Sequence, residues 1–484
     1  MTKPFLKHCE SQFKTWINKR LPAFPAPRNL NYFWSFGNIS SFMLIVMMLS
    51  GIVLAMHYKA DPQTAFDSVQ NITDNVNYGW LIRNMHRTGA SFLFMAVYIH
   101  MLRAIYYGSY KKPREMLWIT GVFILLLMMA TAFMGYVLPW GQMGYWAATV
   151  ITNLFTSIPF IGEHITTMLL GGEQIGEATL SRFFVLHIIL PFIICAVIRM
   201  HIKALKKSGA NNPLGIDVKG PQDTLPFHPF YTIKDMLALA VFLTLYAVFV
   251  FYLPEILAHP ENSIPADPQA TPMHIMPEWY FLPFYAMLRA VTFNINIYAL
   301  SGLFLLALLV IEFVWRHTPK WLGWKSGAAL FLLAASLSIF GLLSDAYRQW
   351  EIPWTEYRYI PITATFGGVM AMFGSIALLT ALPWLDTHPV RSARFRPWFR
   401  FFFVLLLIDI GILGFAGAQP ADRIYLTLPF ITLDNALLAL AATGFYYAFF
   451  LIILPLLARY EKASKMPVSI HQAVLDQQKK GTVK

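Results

Sequence analysis

The sequence predicts an all-α integral membrane protein with about ten membrane-spanning helices. Of its 484 residues, 57% are hydrophobic and only 13% are charged, whereas a soluble protein carries roughly 25% charged residues. Apolar runs of roughly 18–25 residues recur along the chain, and each is long enough to cross a ~30 Å hydrocarbon core as a helix. Because a helix satisfies its own backbone hydrogen bonds in lipid, these runs predict a bundle of transmembrane helices.

Charge alternates between successive loops. The ten apolar runs lie near residues 33–56, 80–106, 116–138, 183–203, 236–254, 297–315, 323–344, 363–384, 399–418 and 434–457. Lysine and arginine gather before the first run and after every second run, and acidic residues predominate in the other loops. We call these two sides the basic face and the acidic face. The positive-inside rule predicts that the basic face, with both termini, is cytoplasmic and electrically negative. This clustering accounts for the net charge of +12 and argues against nucleic-acid binding.

The second and fourth runs each contain two histidines 14 residues apart: His86 and His100, then His187 and His201. Fourteen residues of α-helix rise ~21 Å and stop about 40° short of four full turns. Each helix therefore presents two histidines on nearly one face, at two depths. Because alternate spans run parallel, His86 should face His187 near the acidic face, and His100 should face His201 near the basic face.

Facing imidazoles of this kind can bind one haem iron from both sides, which gives a centre suited to electron transfer. The four histidines therefore predict two haems b, with His86 and His187 on one iron and His100 and His201 on the other. The chain has only two cysteines and no Cys-x-x-Cys-His, which excludes covalent haem and an iron–sulfur cluster. Histidines that merely hydrogen-bond between helices are the alternative, and the matched spacing disfavours it.

Glycines and arginines support the haem prediction. The first run has Gly37 and Gly51, and the third has Gly121 and Gly135, again 14 residues apart. Glycine lets a large flat ring approach the backbone, although small-residue helix packing is the alternative explanation. We expect Arg83, Arg103 and Arg182, which lie close to the histidines in sequence, to pair with haem propionates. Snorkelling to the interface is the alternative for each, and the role of Arg199 stays open.

Several motifs resemble one known family. They are Gly-Tyr-Val-Leu-Pro-Trp-Gly-Gln at 135–142, Thr-Asn-Leu-Phe at 152–155, Asn-Asn-Pro at 211–213 and Pro-Glu-Trp-Tyr at 277–280. With the histidines and glycines, they resemble cytochrome b of the respiratory cytochrome bc complex (complex III, ubiquinol–cytochrome c reductase). The resemblance extends from about residue 30 to 295 and from about 360 to 457. Residues 382–397 resemble the alphaproteobacterial form, which implies a bacterial inner (plasma) membrane.

The resemblance implies that ubiquinol is oxidised at the acidic face, in a pocket formed by the Pro-Glu-Trp-Tyr loop and residues 136–158. The implied catalytic residues are Glu278, Tyr280 and Tyr136. Glu278 is a carboxylate among aromatic residues, a setting that can raise its pKa and make it a proton acceptor. One electron would go to a Rieske iron–sulfur protein and then to a membrane-anchored c-type cytochrome. The other would cross both haems to a quinone at the basic face, so the complex contributes to proton translocation. The resemblance also implies a homodimeric complex in contact with lipids.

Two features depart from the family pattern. Asp235 stands where the family has a carboxylate near the quinone, but Lys206, five residues after His201, replaces a histidine often found there. A lysine can still donate a hydrogen bond to a quinone oxygen, although it titrates differently. The second departure is an insertion of two spans at 297–345, which family members with eight helices lack.

The predicted organisation is therefore a dihaem helix bundle plus further transmembrane helices. We expect an N-terminal segment (1–30), the dihaem four-helix bundle (31–215), a fifth helix with the quinol-oxidation loop (216–296), the inserted hairpin (297–345), a three-helix region (346–458) and a tail (459–484). Two other functions stay open from the sequence. One is a dihaem membrane anchor of another oxidoreductase, and the other is a transporter that uses the histidines as a proton relay.

Overall fold

The prediction of an all-α membrane fold is confirmed. A computed structural model describes residues 25–158, 161–293, 363–428 and 431–481. Within these ranges, eight helices are long and apolar enough to cross a membrane: Tyr32–Ala55, Gly79–Tyr106, Glu115–Val137, Glu177–Ser208, Phe227–Tyr252, Ala364–Leu385, Pro397–Gly417 and Asn435–Tyr460. They correspond to eight of the ten predicted runs, so the chain is a multi-pass membrane protein. The other two runs, with the inserted hairpin, lie outside the described residues.

The described residues form fourteen α-helices and four short strands. The α-helices are α1 (Phe36–Ala55), α2 (Ala65–Asp74), α3 (Gly79–Tyr106), α4 (Glu115–Val137), α5 (Gln142–Thr156), α6 (Gly162–Leu170), α7 (Glu177–Ser208), α8 (Thr232–Tyr252), α9 (Leu282–Ala290), α10 (Ala364–Leu385), α11 (Pro397–Gly417), α12 (Asn435–Ala448), α13 (Leu454–Tyr460) and α14 (Ile470–Gly481). Strand β1 (Pro25–Pro27) pairs antiparallel with β2 (Thr224–Pro226), and β3 (Ile424–Leu428) pairs antiparallel with β4 (Ile431–Asp434). A short π-helix over Phe449–Ile453 joins α12 to α13.

Local sequence explains where several helices begin and end. The Thr363 and Asp434 side chains accept hydrogen bonds from the first turns of α10 and α12, which is how such residues start helices. Helix α7 extends beyond its apolar run of 183–203 at both ends, because polar residues continue it outside the hydrocarbon region. Glu177 lies in its first turn, and Lys206 and Lys207 lie in its last, so the charges complement the helix dipole.

The bundle that carries the histidines consists of two packed helix pairs. Helix α1 packs along α3, and α4 packs along α7. A buried apolar core joins the two pairs, with Met43 from α1, Phe92 from α3, Leu125 from α4 and Ile194 from α7. The C-terminal helices α9 to α12 form a second core, which is connected to α4 by a hydrogen bond of 2.6 Å from the Trp118 indole to the Leu379 carbonyl.

The basic loops come together on one face, as their alternation predicts. Strand pairing joins the N-terminal segment to the loop after α7. Arg391, after α10, forms an ion pair of 2.6 Å with Asp217, after α7. The backbone N–H of His471 in the tail donates to the Asp223 carboxylate over 2.7 Å. Shared loop contacts therefore place both ends of the described chain on the basic face; that this face is cytoplasmic stays a prediction.

A buried ionic cluster ties the same face together. Asp386 accepts ion pairs from Arg396 at 2.7 Å and from Lys111 at 2.8 Å, and Arg396 also bonds Glu461 at 2.9 Å. Burial lowers the pKa of Lys111 to about 8, against the opposing effect of Asp386. Buried charges of this kind are tolerated only when they are paired, so the cluster fixes the loops after α3 and α10 and the chain after α13 to one another.

Candidate functional site

The four predicted histidines meet in two pairs, as their spacing predicts. The ring centres of His86 and His187 lie 6.1 Å apart, with the ring planes at 74°. Those of His100 and His201 lie 6.5 Å apart, with the planes at 55°. Two imidazoles that bind one metal ion from opposite sides, each through a ~2 Å metal–nitrogen bond, have ring centres roughly 6 Å apart. Both gaps therefore fit an iron between them. We call these pairs the acidic-face pair and the basic-face pair.

The four predicted glycines each contact one of these histidines. The nearest atoms to a β-carbon built on Gly51 or Gly135 belong to the rings of His86 or His187, and for Gly37 or Gly121 they belong to His100 or His201. Such a carbon on Gly51 would lie 2.9 Å from Cε1 of His86, and on Gly37 it would lie 3.1 Å from Cε1 of His100. Those distances are too short for ordinary contacts. The sequence reasoning assigned the glycines to the approach of the haem ring itself, but the protein atoms they accommodate are the imidazoles.

A cavity of about 250 Å³ opens beside the acidic-face pair. Its lining includes His86 and His187 together with Glu278, Tyr136 and Tyr280. The residues expected to hold a haem and those expected to handle quinol therefore border the same space, although they come from three helices and a loop.

Glu278 has the electrostatic character expected of a proton acceptor. It lies immediately before the short 3-10 turn Trp279–Phe281, on the cavity wall. Burial raises the pKa of its carboxyl to about 7, and the positive charge of Arg87 opposes that rise. A carboxyl with this pKa can both take up and release a proton near neutral pH.

The two tyrosines differ in how they are held. Tyr280 is buried, and its ring stacks on Phe94 with centres 4.1 Å apart. Burial, with the nearby charge of Glu278, raises the pKa of Tyr280 well above its usual range. Tyr136 lies at the end of α4, and its buried hydroxyl has no hydrogen-bond partner within the described part of the chain. A buried, unpaired hydroxyl on a cavity wall is available to a ligand.

The arginines expected to pair with haem propionates do not all lie beside a histidine pair. Arg83 lines the cavity and donates to the Thr73 hydroxyl over 3.0 Å. Arg103 lies 2.9 Å from Nδ1 of His100, beside the basic-face pair. Arg182 is exposed and donates to the Met168 carbonyl over 2.5 Å, and Arg199 is also exposed. Arg83 and Arg103 are thus next to the histidine pairs, whereas Arg182 bonds to the backbone of α6.

Sequence reasoning missed Arg87. It lines the cavity and forms an ion pair of 2.6 Å with Glu255 at the acidic face. It is also the nearby cation that acts on Glu278. An arginine inside an apolar run, directly after a haem-ligand candidate, is itself a signal of function, because charged residues are rare in transmembrane segments.

At the basic face, Asp235 is already hydrogen-bonded. Asn38, which follows Gly37 on α1, donates to its carboxylate. The neighbouring Lys234 donates to the Leu30 carbonyl over 2.6 Å. Lys206 is exposed in the last turn of α7, and the groups that interact with Asp235 are Ser35, Asn38 and Lys234. Asp235 is thus linked through Asn38 to the turn of α1 that packs against His100.

Comparisons with known proteins agree on one family. Residues 21–209 match the model described as cytochrome b/b6/petB, and residues 265–349 and 351–434 match that of cytochrome b (C-terminal)/b6/petD. The chain is 46% identical to cytochrome b of Rhodospirillum rubrum over 96% of this chain and 94% of that one. It is 45% identical to cytochrome b/c1 of Bradyrhizobium diazoefficiens over 95% of this chain and 57% of that longer one.

A solved structure shares the fold. A chain of a hyperthermophilic respiratory complex III superposes with a TM-score of 0.71 at 29% identity, covering 92% of this chain and 96% of that one. The family models match well over half of the sequence, and the relatives match nearly all of it. The chain therefore belongs to the cytochrome b family, whose members bind haem b.

Proposed function

We propose that the chain is the catalytic membrane subunit of a quinol–cytochrome c oxidoreductase, complex III, in the inner membrane of a bacterium. It oxidises ubiquinol at the acidic face and delivers electrons to a quinone at the basic face. The observation that carries this proposal is the cavity that joins His86 and His187 to Glu278, Tyr136 and Tyr280. The match at both ends of the chain to cytochrome b favours this function over a dihaem anchor or a transporter.

The two histidine pairs are the proposed holders of two haems b. Ring separations of 6.1 Å and 6.5 Å suit one iron in each gap. The pairs are 14 residues apart along α3 and α7, which corresponds to ~21 Å along a helix axis. When bound, the haems would supply a one-electron path through the bilayer between the two faces. Arg83 and Arg103 lie where they can neutralise the propionates, and we propose the same role for Arg182.

At the acidic face, the chain's own residues handle protons. Oxidation of a quinol to a quinone releases two electrons and two protons, so a base is needed beside the substrate. Glu278 is the proposed acceptor of one proton, because burial gives its carboxyl a pKa of about 7. The Tyr136 hydroxyl can donate a hydrogen bond to a quinol oxygen, since nothing in the described chain occupies it. Tyr280, stacked on Phe94, holds the turn that carries Glu278 in place.

At the basic face, Asp235 is the proposed residue for quinone reduction. Asn38 and Ser35 orient its carboxyl beside the basic-face pair. A quinone that accepts two electrons also takes up two protons, and a half-buried carboxyl can relay them. Lys206 would act there only through a movement of its exposed side chain.

Complex III is an assembly of several subunits, and two partners follow from the proposed chemistry. One electron of each quinol goes to a Rieske iron–sulfur protein and then to a membrane-anchored c-type cytochrome, while the other goes to the haems. The single-chain relative named cytochrome b/c1 supports a c-type cytochrome as a partner. We also propose that the complex is a homodimer with bound lipids.

The proposal is tested with Glu278→Gln in the purified complex, by following haem reduction after ubiquinol is added. Glu163→Gln is the matched control, because Glu163 is an exposed carboxylate in the first turn of α6, in an acidic-face loop. We expect Glu278→Gln to slow quinol-dependent reduction by ~10²-fold, a typical effect of removing a positioned acid–base group. The control should react at the rate of the unchanged protein. Equal rates in all three proteins would contradict the assignment of this cavity to quinol oxidation.

A further inference from the structure

One histidine of each pair contacts a hydroxyl group on the neighbouring helix. Nδ1 of His86 lies 3.0 Å from the Ser50 hydroxyl, and Nδ1 of His201 lies 3.0 Å from the Thr120 hydroxyl. Ser50 directly precedes Gly51, and Thr120 directly precedes Gly121. These are the glycines against which the same two rings pack. The arrangement is therefore repeated at both depths of the bundle, once from α1 and once from α4.

The position of each hydroxyl proton decides which atom donates. Ser50 donates to the Val46 carbonyl over 2.7 Å, and Thr120 donates to the Met116 carbonyl over 2.8 Å. A hydroxyl has one proton and two lone pairs. Because that proton is used within its own helix, the oxygen faces the imidazole as an acceptor. Nδ1 of each histidine must then carry the hydrogen and donate it.

That donation determines the chemistry of the other ring nitrogen. A neutral imidazole protonated at Nδ1 has its lone pair on Nε2, and that lone pair is what binds a metal. A ligand histidine that donates from Nδ1 is also fixed in orientation and made more basic. A more basic ligand stabilises ferric over ferrous iron and lowers the reduction potential.

We propose that Ser50 and Thr120 are positioning residues for haem binding, each of which fixes the tautomer and ring orientation of one ligand, His86 or His201. The inference rests on the proposed assignment of the two histidine pairs to two haems. It assigns one hydroxyl to each haem, from α1 for the acidic-face haem and from α4 for the basic-face haem.

The partner ligand in each pair is held differently. Nδ1 of His187 lies 2.8 Å from the Thr131 backbone carbonyl, an acceptor that no side-chain substitution removes. Nδ1 of His100 lies 2.9 Å from the Arg103 guanidinium, which can only donate, so ligation through Nε2 would require Arg103 to turn away from the ring, as it would to meet a propionate. The Met47 and Leu117 carbonyls also interact with His86 and His201, so loss of a hydroxyl leaves each ring a backbone acceptor. We therefore expect the haems to remain bound when a hydroxyl is removed.

The test is a potentiometric titration of the b haems in the purified complex, together with their low-spin electron paramagnetic resonance signals. Ser50→Ala should raise the midpoint potential of the acidic-face haem alone, and Thr120→Val should raise that of the basic-face haem alone. We expect a change of up to about tenfold in the oxidation–reduction equilibrium constant, which is ~59 mV for one electron. Ser50→Thr keeps a hydroxyl and should restore the original potential and signal.

Ser41→Ala is the matched control. Ser41 lies on α1 and donates to the Gly37 carbonyl over 3.0 Å, as Ser50 does to its own helix. Its substitution should leave both potentials unchanged.

The possible outcomes distinguish failure of this inference from failure of the proposed function. Two b haems with unchanged potentials and signals in Ser50→Ala and Thr120→Val would overturn the inference and leave the proposed function intact. If Ser50→Ala loses the acidic-face haem while Ser50→Thr keeps it, the hydroxyl is required for ligation and the inference is supported. If Ser50→Thr loses it as well, only the size of the side chain matters, and the inference fails. Absence of two b-type components in the unchanged protein would overturn the proposed function instead.

Discussion

The two histidine pairs have similar ring separations but different surroundings. Ring centres are 6.1 Å apart in the acidic-face pair and 6.5 Å apart in the basic-face pair. Beside the first lies a cavity of about 250 Å³ with a carboxyl of raised pKa and an unpaired hydroxyl on its wall. Beside the second, Asp235 is already bonded by Asn38, and Lys234 is bonded to the backbone.

This difference indicates that the helices position both histidine pairs, whereas a loop brings the proposed proton acceptor Glu278 to the acidic-face pair. Repetition of histidine and glycine every 14 residues makes two similar ligand sites along the same helices. At the acidic end, the described loop after α8 brings Glu278 to the wall of the cavity beside His86 and His187. A buried, unpaired hydroxyl such as that of Tyr136 is costly unless a ligand completes it, which supports the proposed quinol site at the acidic end.

The largest expected effect comes from breaking one pair and leaving the other. His86→Leu should remove the acidic-face haem, because the site would lose one of the two side chains proposed to hold its iron. His201→Leu should remove the basic-face haem and retain the first. A redox titration of the b-haem absorbance in each variant checks this. Two components at full intensity in His86→Leu would show that the pairs are assigned wrongly.

The next effect concerns pH at the acidic end. Glu278 accepts a proton only when it is ionised, and its pKa is raised to about 7. Quinol oxidation should therefore be slow below pH 7, increase as pH rises through 7, and level off above it. Glu278→Gln should be slow at every pH and lack that inflection. The measurement is the initial rate between pH 5.5 and 8.5; the same inflection in both proteins would mean that another group titrates.

A smaller effect is expected at the basic end. Asp235→Asn should slow reoxidation of the basic-face haem by quinone roughly tenfold, less than the ~10² expected for Glu278. The reason is that Asp235 is only half-buried, so water can replace part of its proton transfer. Quinol oxidation at the acidic end should be unchanged in the first turnover. A stopped-flow experiment separates the two phases, and equal slowing of both would remove the distinction between the ends.

The smallest effect is expected for Lys206. Its side chain is exposed, so Lys206→Ala should change turnover by less than about twofold, in the range of ordinary surface substitutions. Steady-state quinol–cytochrome c reductase activity is the measurement, with Lys203→Ala on the same helix as the control. A loss of tenfold or more for Lys206 alone would place it in the quinone site and contradict this expectation.

Local patterns in the sequence were enough to predict the spans and the histidine pairs. Apolar length and 14-residue spacing are properties of single helices, so neither needs tertiary information. The amphipathic loop helices α2 and α6 carry too little apolar length to appear among the runs. Whether a histidine ring or the haem ring lies against each glycine depends on how the helices pack. The spacing of the glycines alone could not predict it.

The roles of charged residues were predicted less well, because they depend on which loops meet. Arg87 was overlooked, although it acts on Glu278 across about 190 positions of sequence. Lys206 was grouped with Asp235 from the resemblance, whereas the groups found to act on Asp235 are Ser35, Asn38 and Lys234.

The central claim is that each chain holds two haems b, one per histidine pair. The most direct measurement is the amount of noncovalent haem per chain in the purified, fully loaded protein, by pyridine haemochrome absorbance against amino-acid analysis. The account predicts two haems b per chain, reduced to one in His86→Leu and to one in His201→Leu. One haem or none in the unchanged protein, or haem that stays covalently attached after acid–acetone extraction, would contradict it.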